Sequence, residues 1–293
     1  MRKLFSRQLI EARHEMLSIF EAVDLTLHDA VDAFVTDDND LAKKAKKATY
    51  QIDARSANLE AVCYNLIATQ SPVASDFRLL QTIIYVNFNL QRMSDKVRRI
   101  ARAAKRKVRS DIELPAELVE LIGREADCVY RVLGASISAL VSNDLAQITA
   151  LSEQDEAVHA IYSQFFRTYN RMAADDMASD AVPDDTNKTL DDLRRVIMVS
   201  RYLDRMASIS IDAAFRLTFL LTGQRWSEAD IADADEDELE SMRIPSGEGV
   251  ILDPLSDARY VAALSPDEVG EKLAALIEAA KRGEESIDED DED

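Results

Sequence analysis

With 293 residues, 47% of them hydrophobic, and only seven glycines and six prolines, the chain can bury two modest cores but is too poor in turn residues for a sheet protein. Its net charge of −20 is uneven: residues 224–293 hold 23 acidic and 6 basic side chains, so the body before them is nearly neutral. No run approaches the ~20 apolar residues that span a bilayer, and Met1-Arg-Lys-Leu-Phe leads into an amphipathic stretch without a signal core, which points to a cytoplasmic protein.

The spacing predicts a first helix over about 6–35, where Leu9, Met16, Phe20, Val23, Leu27, Ala30 and Phe34 recur every three or four residues. Asp37-Asp-Asn-Asp40 reads as a turn, and a second helix runs to about 69. The Ser71-Pro72 step biases Ser71 away from helix, with Ser75 or Asp76 as cap candidates for the third. Leu79, Ile83, Val86, Leu90, Met93, Val97 and Ile100 then alternate spacings of four and three, the seam of a packed bundle.

Asp111-Ile-Glu-Leu-Pro115 separates this unit from three more helices, over about 116–141, 144–175 and 190–221, the last stopped by Gly223. The second unit repeats the first. At an offset of 113, Leu80 pairs with Leu193, Leu90 with Leu203, Arg92 with Arg205 and Met93 with Met206. Upstream, Ile52-Asp53 matches Val158-His159 at an offset of 106, so the second copy has about seven extra residues, placed in a loop around Pro183.

The expected fold is therefore all-α: two tandem three-helix bundles at 1–110 and 111–224, then an acidic extension at 225–293. Within that extension Ser265-Pro-Asp-Glu268 is a strong helix start, leading to a short helix at about 265–282 and a disordered acidic tail.

Leu66-Ile-Ala-Thr-Gln-Ser-Pro-Val-Ala-Ser-Asp-Phe-Arg78, with the duplicated helices, resembles the PhoU family of bacterial phosphate-uptake regulators over residues 1 to about 224. The family's signature on the last helix of each repeat is an acid, Arg, two small or apolar residues and Asp. Here it reads Gln91-Arg-Met-Ser-Asp95 and Asp204-Arg-Met-Ala-Ser208. The resemblance implies a non-enzymatic, homodimeric adaptor between the ATPase subunit of a phosphate ABC transporter and a sensor histidine kinase, restraining uptake when phosphate is plentiful. Membrane contact would then run only through those partners.

The resemblance also implies divalent-metal sites, because acids at i and i+4 share a helix face and a cation between facing helices cancels their repulsion. The candidate ligands are Asp53, Glu60 and Asp95 in the first repeat and Asp155, His159 and Asp204 in the second, with Gln91 and Ser208 replacing one acid of each pair. Fewer acids mean weak Mg²⁺ affinity, while His159 with Asp155 would favour Zn²⁺ or Fe. The alternative function is a metal-binding bundle outside phosphate signalling. Glu11-x-x-His14 and Glu156-x-x-His159 have the spacing of di-iron ligands, but fall in different bundles.

Candidate partner-binding or anion-binding residues are Arg92 and Arg205 together with Arg98, Arg99, Arg102, Lys105, Arg106 and Lys107, part of an acid-free run from Lys96 to Arg109. Lys43, Lys44, Lys46 and Lys47 add a second cluster. Nucleic acid is not expected, since no aromatics interleave these cations. The acidic tail is expected to fold back on the basic end of the third helix and compete with a partner there. No enzyme is expected: Gly123 and Gly134 stand alone within helices, and Cys63 and Cys128 have no histidine near them in sequence.

Overall fold

The computed structural model describes residues 2–110, 114–178, 186–225 and 230. Six helices fill them: α1 (Arg2–Val35), α2 (Asn39–Gln70), α3 (Ala74–Ser110), α4 (Ala116–Ser142), α5 (Ala146–Ala178) and α6 (Thr186–Thr222). The loop around Pro183, the helix at 265–282 and the acidic tail lie outside the described residues.

Local chemistry sets the breaks. Asp37 adopts a left-handed conformation (φ 60), and the Asp38 carboxylate accepts from the Asp40 and Leu41 amides to cap α2. Ser71 also turns left-handed (φ 47), closing α2 one residue before Pro72, which cannot continue it. Because α3 starts at Ala74, Ser75 and Asp76 lie inside its first turn rather than at the cap; Asp76 instead offers its charge to the helix dipole. Gly223 ends α6 with φ +78, donating to the Phe219 carbonyl; a Cβ there would stand 2.9 Å from the movable end of Arg78, so it is the backbone conformation that favours glycine.

The α3 seam from Leu79 to Ile100 is buried throughout, and α3 packs on α1 and α2 while α6 packs on α4 and α5. Each large apolar side chain so buried stabilises the fold by roughly 1.5–3 kcal/mol. The equivalent seam residues Leu90 and Leu203, and Met93 and Met206, have no exposed surface. Helix α3 also lies on α6 and α1 on α4, joining the two bundles. Across these contacts Tyr85 Oη donates to Asp212 at 2.8 Å, His28 stacks on Tyr130 with ring centres 3.5 Å apart, and buried Arg13 Nη2 donates to the carbonyls of Leu140 and Val141.

Candidate functional site

The candidate ligands fall into two clusters, one per repeat, and the chain's own cations meet most of their carboxylates. In the first, Asp53 on α2 receives the Arg98 guanidinium at 2.8 Å and the Ser94 hydroxyl at 2.9 Å from α3. Asp95, one turn before Arg99, accepts from its guanidinium at 2.9 Å and lies 3.5 Å from Lys96. Burial opposes ionisation of Asp95, but the hydrogen bond and charge of Arg99, helped by Lys96, outweigh it and hold the carboxyl below its usual range. Glu60 stands apart, lining a groove with Tyr64 and Gln91.

The second cluster inverts the polarity. His159, at the position matching Asp53, places Nδ1 2.7 Å from Asp204 Oδ1 on α6 and Nε2 3.4 Å from Asp155 Oδ2 one turn earlier. Asp204 Oδ1 receives no aligned hydrogen bond, so the short contact is an ion-pair geometry. Ser208, in place of the second signature acid, bonds back to the Asp204 carbonyl at 3.3 Å.

Beneath this cluster sits Glu125 on α4, which sequence reasoning passed over. It has no exposed surface, accepts from Ser200 Oγ at 2.6 Å, and leaves Oε1 without a hydrogen-bond partner among the described residues. Burial pushes its carboxyl up to about 9; the Ser200 hydrogen bond works against the rise and the charge of Asp204 adds to it. Glu125 is thus a neutral acid at neutral pH. The signal was available, because Glu125 takes a place in the run Leu118, Ile122, Glu125, Val129, Val132, whose alternating spacing marks a core seam. Tyr162 is raised as well, first by burial and then by Asp204.

These residues do not fit a dedicated metal centre. Among the described residues no group of three His, Cys, Asp or Glu side chains converges as a metal ion requires. Arg98 and Arg99 already meet Asp53 and Asp95, and the His159 ring stands between Asp155 and Asp204, where a cation would otherwise sit. The two Glu-x-x-His pairs lie on α1 and α5, one in each bundle.

The basic run is likewise largely engaged. Lys107 is buried, donating to the Phe34 carbonyl at 2.9 Å and pairing with Asp37 at 2.9 Å, so it is a structural residue rather than a surface cation. Arg98 packs on the Tyr50 ring, 5.1 Å from its centre, and a hydrogen bond from Arg102 is the main cause lowering the Tyr50 phenol. Arg102 and Arg106 are exposed and Lys105 half-buried. Arg92 donates to Asn89 Oδ1 at 2.8 Å, while Arg205 is exposed. Cys63 and Cys128 are buried free thiols, Cys63 pushed up to about 12 by burial and then by Glu60. No helix among the described residues is long and apolar enough to cross a membrane.

A family model for the PhoU domain matches residues 16–104. The chain is 26% identical over 224 residues to the phosphate-specific transport system accessory protein PhoU homolog 1 of Methanothermobacter thermautotrophicus, covering 76% of this chain and 97% of the relative. It is 24% identical over 225 residues to the PhoU homolog of Clostridium acetobutylicum, again covering 76% of this chain and 97% of the relative. The crystal structure of PhoU from Pseudomonas aeruginosa superposes with a TM-score of 0.66 at 21% identity, covering 75% of this chain and all of that one. That likeness shows the helical fold.

Proposed function

The chain belongs to the PhoU family, and we propose that it is an accessory protein of phosphate transport, working as a regulator rather than an enzyme. The observation that carries this reading is the correspondence, along 97% of their lengths, with relatives named as phosphate-specific transport accessory proteins. In its finer form the proposal is a cytoplasmic homodimeric adaptor. It meets the ATPase subunit of a phosphate ABC transporter and a sensor histidine kinase, and restrains uptake and signalling when phosphate is plentiful. The repeats divide at 110/111, and Arg92, Arg102, Arg106 and Arg205 are the cations offered to acidic partner surfaces. Exposure of Arg102, Arg106 and Arg205 supports that role.

Removal of the gene, followed by assay of secreted phosphatase under ample phosphate, tests the regulatory claim: derepression is expected, and persistent repression would overturn it. Capture of the tagged protein from native lysate tests the adaptor claim separately. Retention of the transporter ATPase or the kinase is expected, and retention of neither sinks that form.

A further inference from the structure

Most of the exposed large apolar side chains among the described residues lie between positions 62 and 88: Val62, Tyr64, Val73, Phe77 and Phe88, with Phe88 57% and Tyr64 54% exposed. Tyr64, Phe77 and Phe88, together with Ile67 and Ile84, line a groove of about 560 Å³ between α2 and α3. A groove that exposes the rings of Tyr64, Phe77 and Phe88 together has the character of a binding face.

One end of the groove is cationic. Arg216, which lines it, lies 4.7 Å over the Tyr85 ring and 4.2 Å over Phe219; Arg225 lies 5.7 Å from Tyr85; and Arg78 packs against Gly223. The Nε atoms of Arg78 and Arg216 are buried without hydrogen-bond partners. Burial, and then the charge of Arg225, lower the Arg216 guanidinium, so this rim has positive charge that Asp212 alone does not balance.

The chain itself supplies a complement. Helix α6 ends at Thr222, and Arg225 already stands at Tyr85 on the groove, so everything from residue 226 onward leaves from its cationic end. Residues 226–293 carry 23 acidic and 5 basic side chains, with eight of the acids between 228 and 240. Further along, the sequence predicts a helix from Ser265 on which Val269, Leu273, Leu276, Ile277 and Ala280 would share one face, with Glu271 and Glu278 opposite. The 39 residues between Arg225 and Ser265 would span roughly 35 Å as a flexible chain, enough to turn back onto α2 and α3 at a high effective concentration.

We propose that the α2–α3 groove is the docking site of the chain's own C-terminal segment, with the Val269, Leu273, Leu276 and Ile277 stripe seated on Tyr64, Phe77 and Phe88 and the acids of 228–240 on the arginine rim. The segment then masks an apolar face that an external helix would otherwise use. This replaces the expected target at the end of α3, where Arg98, Arg99 and Lys107 are already paired with Asp53, Asp95 and Asp37.

The test uses the full chain. A Gln81→Cys thiol on the groove lining reports access, because Cys63 and Cys128 are buried. Its labelling rate by a thiol reagent is expected to rise at least tenfold when Leu273→Asp and Ile277→Asp are added, and also with Leu276→Asp alone, a second variant outside the six-helix body. Equal rates overturn the proposal. In a Gln81→Cys, Leu276→Cys chain, a short bifunctional thiol cross-linker is expected to give an internally linked monomer at all protein concentrations. Linked dimers would make a second copy the occupant and overturn the proposal, as would the absence of any link.

Discussion

His159 on α5 stands 2.7 Å from Asp204 on α6, with the ring more than half exposed and the carboxylate nearly buried. Asp204 also lies close enough to Glu125 to add to that acid's raised affinity for its proton. Removing the imidazole leaves Asp204 and Asp155 without the ring that each of them faces. His159→Ala is therefore expected to lower stability by about 1 kcal/mol, the ring's exposure holding the figure down. His159→Asp, which adds a third acid, should lower it further. Chemical denaturation of the three proteins checks the order, and an aspartate variant as stable as the parent would contradict it.

Asp53 and Arg98 place the cation on the other helix. The Arg98 side chain is 15% exposed and its partner 34%, so truncation strands the half-buried Asp53 carboxylate. Arg98→Ala is expected to cost about 1–2 kcal/mol. It should also make the melting temperature respond to millimolar Mg²⁺, which then has an uncompensated acid to neutralise. The parent should show little response. A parent that Mg²⁺ stabilises as much as it does Arg98→Ala would mean that the guanidinium does not stand in for a cation.

Glu125 carries a pH signature whose sign is fixed by the direction of its shift. Burial raises its affinity for the proton, so the folded state holds that proton from the ordinary carboxylate range up to about pH 9, while the unfolded state has released it. The unfolded chain binds fewer protons across that window, and this acid's contribution makes stability fall as pH rises from about 4.5 to 9. Glu125→Gln keeps the shape and an acceptor for Ser200 while removing the titration. It is expected to gain on the order of 2 kcal/mol at pH 8, and to flatten the decline seen in thermal melts between pH 6 and 9. A variant whose stability falls with pH as steeply as the parent's would count against the buried acid as its source.

The helical body was legible because it depends on near-neighbour periodicity. The α3 seam, the turn at Asp37 and the stop at Gly223 all follow from spacing and local backbone chemistry, and the repeat pairs Leu90 with Leu203 and Met93 with Met206 on buried seams. The pairing of acids with cations was not legible in the same way. Asp53 meets Arg98 only because two helices 45 positions apart in sequence settle in one lateral register, and periodicity carries no information about that register. Lys107 reads as one more solvated cation in its run, yet the packing of α3 on α1 buries it against Phe34. Glu125 is the intermediate case, visible as an acid on an apolar seam but not by what it touches.

The junction between the bundles offers a last prediction through Arg13. Its guanidinium is buried and Nη2 reaches the carbonyls of Leu140 and Val141 at 3.0 and 3.1 Å and Asn143 Oδ1 at 3.2 Å, at the C-terminal end of α4. Those carbonyls belong to the last helical turn, where no further amide satisfies them and the helix dipole favours a cation. Arg13→Met keeps much of the stem's volume but strands the acceptors, so a loss of about 2–4 kcal/mol is expected. By contrast Arg55→Met, which breaks a pair with Glu15 that is more than a third exposed, should cost about 1 kcal/mol or less. Because Arg13 joins α1 to α4 and Arg55 joins α2 to α1, only the former should raise hydrogen exchange in the last turn of α4. Equal destabilisation by the two substitutions would show that the clamp between the bundles is no stronger than a surface ion pair.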